Sequence, residues 1–350
     1  MAVQATQIDV INLPEAPAIP GLVFRRFRGE TDYPKMVAVI EGSKEADQIE
    51  RVITVEEVAR NYRHLKNCDP YQDMLFAEVD GQVIGYTRVT WYMTVEGYRI
   101  YQHFGFLLPA WRRRGIGRAM LRHNQRRLLQ IAAGHAGDEP RYFESFAAET
   151  EVSATALLLS EGYTAVRHFY QMVRPNLEDI PEAPLPAGLE VRPVRPEHYH
   201  AIWQANSEAF QDHWGYSAEN EPSLEEWMED PNFDPSLWRV AWDGDQVAGM
   251  VLSYIDAREN EEYKRKRGYT EDICVRRPWR RRGLARALLV QSLWALKERG
   301  MEEAALGVDT ENISGALRLY ESVGFRPVKR DTVYRKAFKI EATQTSKEMT

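Results

Sequence analysis

The sequence predicts a mixed α/β fold, an α+β sheet domain present twice along the chain. Three observations predict it. The chain repeats itself. Each copy opens with hairpin-forming strands and closes with a strand–helix–strand crossover. Each copy also inserts a basic, glycine-centred turn between a strand and a long helix.

Four landmarks carry the repeat, in the same order and at offsets of 162 to 168 residues. PGLVFRR, from Pro20, answers AGLEVRP, from Ala187. FAEVDGQVIGY, from Phe76, answers VAWDGDQVAGM, from Val240. PAWRRRGIGRAML, around Gly115, answers RPWRRRGLARALL, around Gly283. LLLSEGYTAV, from Leu157, answers LYESVGFRPV, from Leu319. A chain of 350 residues is long enough for two such domains, each with its own core. The Pro-rich stretch from Arg174 to Gly188 lacks apolar periodicity and reads as a linker. The expected division is an N-terminal extension at 1–20, a first domain at 21–175, a linker at 176–187, a second domain at 188–340 and a polar tail at 341–350.

Within the second copy, LEVRPV (from Leu189) reads as a strand and HYHAIWQANSEAF (from His198) as a helix with apolar residues at helical spacing. Ser223-Leu-Glu-Glu is a capping-box pattern opening a short helix. WRVAWDGDQVAGMVLSYI reads as two strands joined at Asp243-Gly244. YTEDICV is a strand. A helix follows with Leu284, Leu288 and Ala295 near one apolar face and Gly300 at its end. AALGVDT is a strand, SGALRLYESVG a helix and TVYRKAF a final strand.

Composition narrows the function. Lys plus Arg is 45 against 52 Asp plus Glu, a net charge of −7, which argues against a dedicated nucleic-acid binder. No run approaches the ~20 apolar residues of a membrane span, and the N-terminus has neither a basic start nor an apolar core of a secretory signal. Two cysteines, Cys68 and Cys274, cannot build a disulfide framework or a four-thiolate zinc site, so no metal is expected and a reducing cytoplasm is the expected home.

The glycine turns carry the chemistry. The first turn of a helix has unpaired N–H groups and a partial positive charge. Gly283 and the small Ala285 let the backbone approach an anion, and Arg280, Arg281 and Arg282 add charge, so the expected ligand is a phosphate or pyrophosphate. No Gly-Lys-Ser/Thr follows, which excludes a nucleotide-hydrolase loop, and the third glycine of a dinucleotide fingerprint is missing.

These residues resemble the GNAT superfamily of acyl-CoA N-acyltransferases, twice over. That family's Arg/Gln-x-x-Gly-x-Gly/Ala signature corresponds to Arg112-x-x-Gly115-x-Gly117 and Arg280-x-x-Gly283-x-Ala285. Its later Asn, Tyr and Gly-Phe correspond to Asn312, Tyr320 and Gly324-Phe325, and Glu271-Asp272-Ile-Cys-Val275 is similar to the strand before the turn in many members. The resemblance spans roughly Leu22 to Phe338, and the tandem layout resembles the double-GNAT proteins of the mycothiol synthase kind.

The resemblance implies that acetyl-CoA is the cosubstrate. Its pyrophosphate would lie on the backbone around Arg280, Arg281, Arg282, Gly283, Leu284, Ala285 and Arg286. Its pantetheine would lie between strands near Ile273, Cys274 and Val275 on one side and Leu306 to Val308 on the other. Val275 marks the region of the backbone donor to the thioester carbonyl. Tyr320 is placed to protonate the leaving thiolate, and Asn312 to orient pantetheine or a water. Cys274 itself reads as a small buried hydrophobe rather than a nucleophile.

An attacking amine must first lose a proton, and a carboxylate is the natural base. Glu271 is expected to take that role by its position in the strand. Asp272 is second choice, because alternation turns it to the opposite face. The first copy departs from this pattern: Leu158, Thr150 and His103 stand where Tyr320, Asn312 and Glu271 stand in the second. The second copy is therefore expected to be catalytic and the first degenerate. Arg112, Arg113, Arg114, Gly115, Gly117 and Arg118 remain a possible second cofactor site. The acceptor is expected to be a small-molecule primary amine. Its candidate pocket is the segment from Phe210 to Trp238, rich in Trp and in the acids Glu219, Glu221, Glu225, Glu226, Glu229 and Asp230. The alternative is a non-catalytic acyl-CoA-binding regulatory or scaffold protein. Turnover of acetyl-CoA with an amine separates the two.

Overall fold

The computed structural model describes residues 10–312 and 315–339, so the expected polar tail lies outside the described residues. The chain forms two compact units, Met1–Val166 with Val333–Thr350, and Arg167–Thr332.

In the first unit, strand β1 (Leu22–Arg25) precedes helices α1 (Tyr33–Asp47), α2 (Val55–Arg63) and α3 (Pro70–Asp73). Strands β2 (Met74–Val79), β3 (Gln82–Met93) and β4 (Arg99–Leu107) follow, then helix α4 (Ile116–Ala133), strand β5 (Arg141–Ala148) and helix α5 (Val152–Ser160). Strand β6 (Thr164–Arg174) then begins. The hairpin between β2 and β3 turns on Asp80-Gly81, both at positive φ, as a two-residue hairpin turn requires. Strands β1 to β4 pair antiparallel, and β4 and β5 pair parallel around the α4 crossover.

The second unit repeats this order. It runs from β7 (Glu190–Val191) through α6 (Tyr199–Phe210), α7 (Leu224–Met228), β8 (Arg239–Asp243), β9 (Gln246–Tyr254) and α8 (Ala257–Glu262). It continues through β10 (Arg267–Val275), α9 (Leu284–Glu298), β11 (Glu303–Asp309) and α10 (Ala316–Ser322) to β12 (Arg326–Phe338). The Ser223 capping box forms, with Ser223 and Glu226 each satisfying the other's backbone N–H. Helix α9 buries Leu284, Ala287, Leu288 and Leu293 against the sheet. The strand expected from Leu189 to Val194 is only two residues long, because Pro193 cannot donate to a ladder. Helix α8, which the sequence reading did not anticipate, is capped by the Asp256 carboxylate on the amides of Arg258 and Glu259.

Two findings revise the expected boundaries. First, the units exchange their last strands. Residues Phe169–Arg174 of β6 pair antiparallel with β11 in the second unit. In the first unit the end of β12 lies beside β5, with Phe338 stacked on Phe143 at 4.1 Å and Arg335 bonded to Glu144 at 2.7 Å. Second, the segments read as extension and linker are packed. Leu13 and Ile19 join the core of the first unit, and Leu177 and Ile180 that of the second. Pro14-Glu-Ala-Pro17 recurs as Pro181-Glu-Ala-Pro184, so the repeat starts earlier than its first landmark. No described helix is long and apolar enough to cross a membrane.

Candidate active site

In the second unit the chain leaves β10 at Val275, makes a short 3-10 turn and enters α9 through Gly283. Arg281 and Gly283 both lie at positive φ. The first bond of α9 is donated by Ala287 to the Gly283 carbonyl, so the amides from Gly283 to Arg286 have no partner inside the helix. No heavy atom lies within 4 Å of where a Cβ on Gly283 would sit, leaving the helix end open for a ligand. The flanking arginines are fixed differently. Arg280 donates to the Val275 carbonyl at 2.9 Å and to Asp212 at 2.7 Å. Arg282 reaches the Ala187 carbonyl, and Arg286 reaches Ser322. Arg280 thus braces the turn against the strand end, while Arg281 stays exposed. Arg277 and Arg280 together hold the Asp212 carboxyl down to about 2. Asp212 escaped the sequence reading. Its signal was there, since the first unit has the same brace: Arg112 bonds the Leu107 carbonyl and, through both terminal nitrogens, Asp47.

Strands β10 and β11 are paired only at Arg267↔Glu303, Gly268↔Ala304 and Tyr269↔Ala305. Beyond that point they part, so Ile273–Val275 and Leu306–Val308 border a gap in the ladder, as the resemblance implied. Gly307 adds no Cβ to that gap and has open space where one would be. The Glu271 carboxylate accepts from the Gly307 N–H at 3.2 Å.

The expectation that Asp272 faces away from Glu271 is overturned. Pairing with β9 steps from Glu271↔Leu252 to Cys274↔Met250, so two residues of β10 face one of β9. This β-bulge holds Asp272 at φ 47, a conformation Asp tolerates better than most residues, and it breaks the alternation that the prediction assumed. Both carboxyl groups consequently line one cleft of about 230 Å³. Leu252, Ser253 and Tyr254 of β9 line it as well, together with Trp227, Asp230, Asn232, Phe233 and Trp238. Trp227 stacks on Trp238 at 4.8 Å, and Phe233 stands edge-on to Trp238 at 4.9 Å.

Burial pushes the Glu271 carboxyl up to about 8, and the neighbouring Asp272 charge adds to the rise. Burial likewise pushes Asp272 up to about 6, against a hydrogen bond from Asn206. Among the described residues no arginine or lysine pairs with Glu271; burial, the Asp272 charge and the Gly307 amide set its proton affinity. Of the acids expected near the pocket, only Asp230 lines it. Glu226 is spent on the α7 cap and Glu221 accepts from the Tyr216 hydroxyl.

Tyr320 is buried on α10, edge-on to Phe325 and within electrostatic reach of Glu271 and Cys274. Burial raises the pKa of its hydroxyl, so it is held protonated. Cys274 is buried beside Asn206, and its thiol is pushed up by burial, which keeps it un-ionised and consistent with a packing role. Asn312 lies in the turn after β11, where its carbonyl accepts from the Gly315 amide. Ser314 lies outside the described residues.

The first unit repeats the frame with different side chains in it. Gly115 and Arg113 have positive φ, and Ala119 donates to the Gly115 carbonyl. Pro17 stands 3.5 Å from where a Gly115 Cβ would be, Arg118 and Arg122 pair with Glu161, and Gly117 faces Leu157. Arg114 stacks over Trp111. His103, in the place of Glu271, is fully buried with its Nε2 at 2.7 Å from the Tyr163 hydroxyl, and burial pushes it down to about 4. Leu158, in the place of Tyr320, is part of the core.

The chain matches known proteins along both repeats. Residues 199–325 match the model of the Acetyltransferase (GNAT) family, and residues 70–171 that of the Acetyltransferase (GNAT) domain. The mycothiol acetyltransferase of Streptomyces bingchenggensis is 31% identical over 273 residues, covering 75% of this chain and 80% of the relative. That of Salinispora tropica is 32% identical over 221 residues, covering 62% and 67%. Among solved structures, a GCN5-related N-acetyltransferase from Sphaerobacter thermophilus superposes with a TM-score of 0.69 at 26% identity, covering 93% of this chain and 97% of the other. A tandem GNAT protein from the clavulanic acid biosynthesis pathway shares the fold, with a TM-score of 0.63 at 14% identity over 92% and 100%. The strand parting, the glycine turn and these matches agree: the chain belongs to the GNAT acetyltransferase family and carries two GNAT domains in tandem.

Proposed function

We propose that the second domain transfers an acetyl group from acetyl-CoA to the nitrogen of a small primary amine by direct attack. The first domain keeps the frame and completes the fold without doing chemistry. The observation that carries this reading is the bulge, which aims two carboxyl groups without cationic partners into one cleft beside the parted strands.

The open end of α9 and the amides from Gly283 to Arg286 suit the CoA pyrophosphate. The gap beside Gly307 suits the thioester arm. The amine arrives as an ammonium, with a pKa near 10. An ordinary carboxylate is a weak base towards it, whereas a Glu271 carboxyl near 8 closes most of that difference. Glu271 takes the proton, and the freed lone pair forms the N–C bond to the acetyl carbonyl. A backbone N–H within Ile273–Val275, where β10 has parted from β11, steadies the charge developing on the carbonyl oxygen. The C–S bond then breaks as Tyr320 donates its proton to the leaving thiolate, and the second proton of the attacking nitrogen passes to the Tyr320 phenolate, which leaves a neutral amide, a free thiol and a restored tyrosine, while Glu271 returns its proton to solvent. Asp272 keeps the Glu271 proton affinity high, and Asn312 helps seat the cosubstrate.

Because Glu271 must be ionised to act, kcat/KM for acetyl transfer rises with pH through an apparent pKa between about 6 and 8 and then levels. Glu271→Gln lowers the plateau by about 10²–10⁴ and removes the rise. A pH–rate profile measured as thiol release checks both. A variant with the wild-type profile would take Glu271 out of the mechanism.

A further inference from the structure

One loop of the second domain crosses the gap between the parted strands. Helix α6 ends at Phe210, and the chain runs on through Asp212, His213 and Trp214. Asp212 is fixed on the β10 side. It accepts from both Arg277 and Arg280, and Arg280 also donates to the Val275 carbonyl at the end of that strand. Trp214 is fixed on the β11 side. Arg167 of β6 lies over its ring at 5.4 Å, and the ring of Phe169, also of β6, lies 6.4 Å away. Arg167 in turn donates to both carboxylate oxygens of Asp309, at the end of β11, and Phe169 pairs with Asp309 across the ladder.

His213 alone separates the two anchors, and an extended chain covers at most ~7 Å over two residues. His213 therefore stands at the mouth of the gap, between Val275 and Asp309. Its imidazole packs on Phe210 at 4.3 Å, within electrostatic reach of Asp309 on one side and of Asp212 and Arg280 on the other. Burial pushes its pKa down, so the ring is neutral and keeps both a donor and an acceptor nitrogen. Helix α6 packs its Ile202 and Ala205 on Met250, Leu252 and Cys274, whereas α9 packs Leu284 and Leu288 on the other face, against Ala248 and Val251. A cosubstrate seated on the open end of α9 reaches the gap from that second face, and the loop closes the first. The first domain has the matching first anchor, Arg112 on Asp47, but the residues that follow it, Gln48, Ile49 and Glu50, carry no ring.

We propose that residues 212–214 form the back wall of the thioester gap, that His213 touches the pantetheine arm there, and that Arg167, Phe169 and Trp214 are positioning residues that hold the wall in place. This rests on the reading of the second domain as the acetyl-CoA site. A wall tied at both ends is ordered before the arm arrives, so binding does not bear the cost of ordering it. A neutral imidazole suits the uncharged amides of that arm, to which it can donate or accept a hydrogen bond. The first repeat then has a part in the chemistry of the second: it supplies β6, and with β6 the outer anchor of the wall.

The test titrates the full-length protein in a calorimeter with CoA and with ADP, which keeps a pyrophosphate and lacks the arm. Trp214→Ala and Arg167→Ala are each expected to weaken CoA at least about tenfold and to leave ADP at its wild-type affinity. Trp214→Phe, which keeps a ring for Arg167 and Phe169, is expected to bind CoA close to wild type. Equal losses of CoA and ADP in a variant that melts cooperatively would mean that the loop only supports the glycine turn, and would overturn the proposal. Wild-type CoA affinity in either alanine variant overturns it too, as does a phenylalanine variant as weak as the alanine one. Where the alanine variants do not fold, His213→Ala, which leaves both anchors intact, carries the test: CoA weakened against unchanged ADP supports the wall, and unchanged CoA removes it. Wild-type protein that binds CoA yet acetylates no amine overturns the acetyl-transfer reading and leaves the wall standing, whereas wild-type protein that binds no CoA overturns both.

Discussion

Glu271 and Asp272 show what one backbone irregularity does to a residue-level expectation. Strand alternation separates neighbours onto opposite faces, and only a bulge brings them to the same cleft. Nothing in Glu-Asp-Ile-Cys-Val announces that bulge, so the expected direction of Asp272 was wrong. At the matching place in the first domain, His103 has a different consequence. Its folded pKa, about 4, is below the unfolded value of about 6.5. The unfolded chain therefore binds the proton first as pH falls, and folding stability is full above about 6.5 and lost progressively down to about 4. His123, also pushed down to about 4 by burial and nearby arginines, adds to the same slope. The melting temperature is expected to fall between pH 7 and pH 4.5, and His103→Gln, which can keep a bond to Tyr163, to flatten that fall in part. An unchanged slope in the variant would show that His103 is already protonated in the folded protein.

Among the elements, the strand–turn–helix unit was the most legible. Its boundaries follow from local rules: glycine at positive φ, small residues at the helix start and an apolar face on α9. The capping box at Ser223 is equally local and forms, and the hairpin forms with its turn at Gly244-Asp245, one residue beyond the expected Asp243-Gly244. What the sequence left hidden is non-local. The Asp212–Arg280 brace joins the end of α6 to the glycine turn, and the aromatic wall joins a loop to β9. The tryptophans of that wall looked like core residues as readily as pocket residues, and Trp238 serves as both. Gly283→Glu places bulk and negative charge on the open end of α9. It is expected to reduce acetyl-CoA affinity at the second domain by more than about 10²-fold in a calorimetric titration. Wild-type affinity in a variant that still melts cooperatively would mean that the turn does not hold the pyrophosphate.

Across the whole molecule, the exchange of terminal strands makes each compact unit depend on sequence from the other repeat. The repeat itself was plain from four landmarks, but which strand completes which sheet depends on long-range pairing that periodicity does not encode. A fragment of residues 1–175 lacks the strand that brings Phe338 onto Phe143 and Arg335 onto Glu144. It is expected to melt below the full chain and to regain stability when mixed with a fragment of residues 176–350. Independent melting of both fragments at the temperature of the intact protein would contradict the exchange. The assignment of chemistry to the second domain is tested most directly by turnover of acetyl-CoA with an amine acceptor by the double variant Glu271→Gln, Tyr320→Phe, whose first domain is untouched. A catalytic second domain predicts loss of thiol release to background, with acetyl-CoA binding retained. Turnover at the wild-type rate would place the chemistry in the first domain and contradict the assignment.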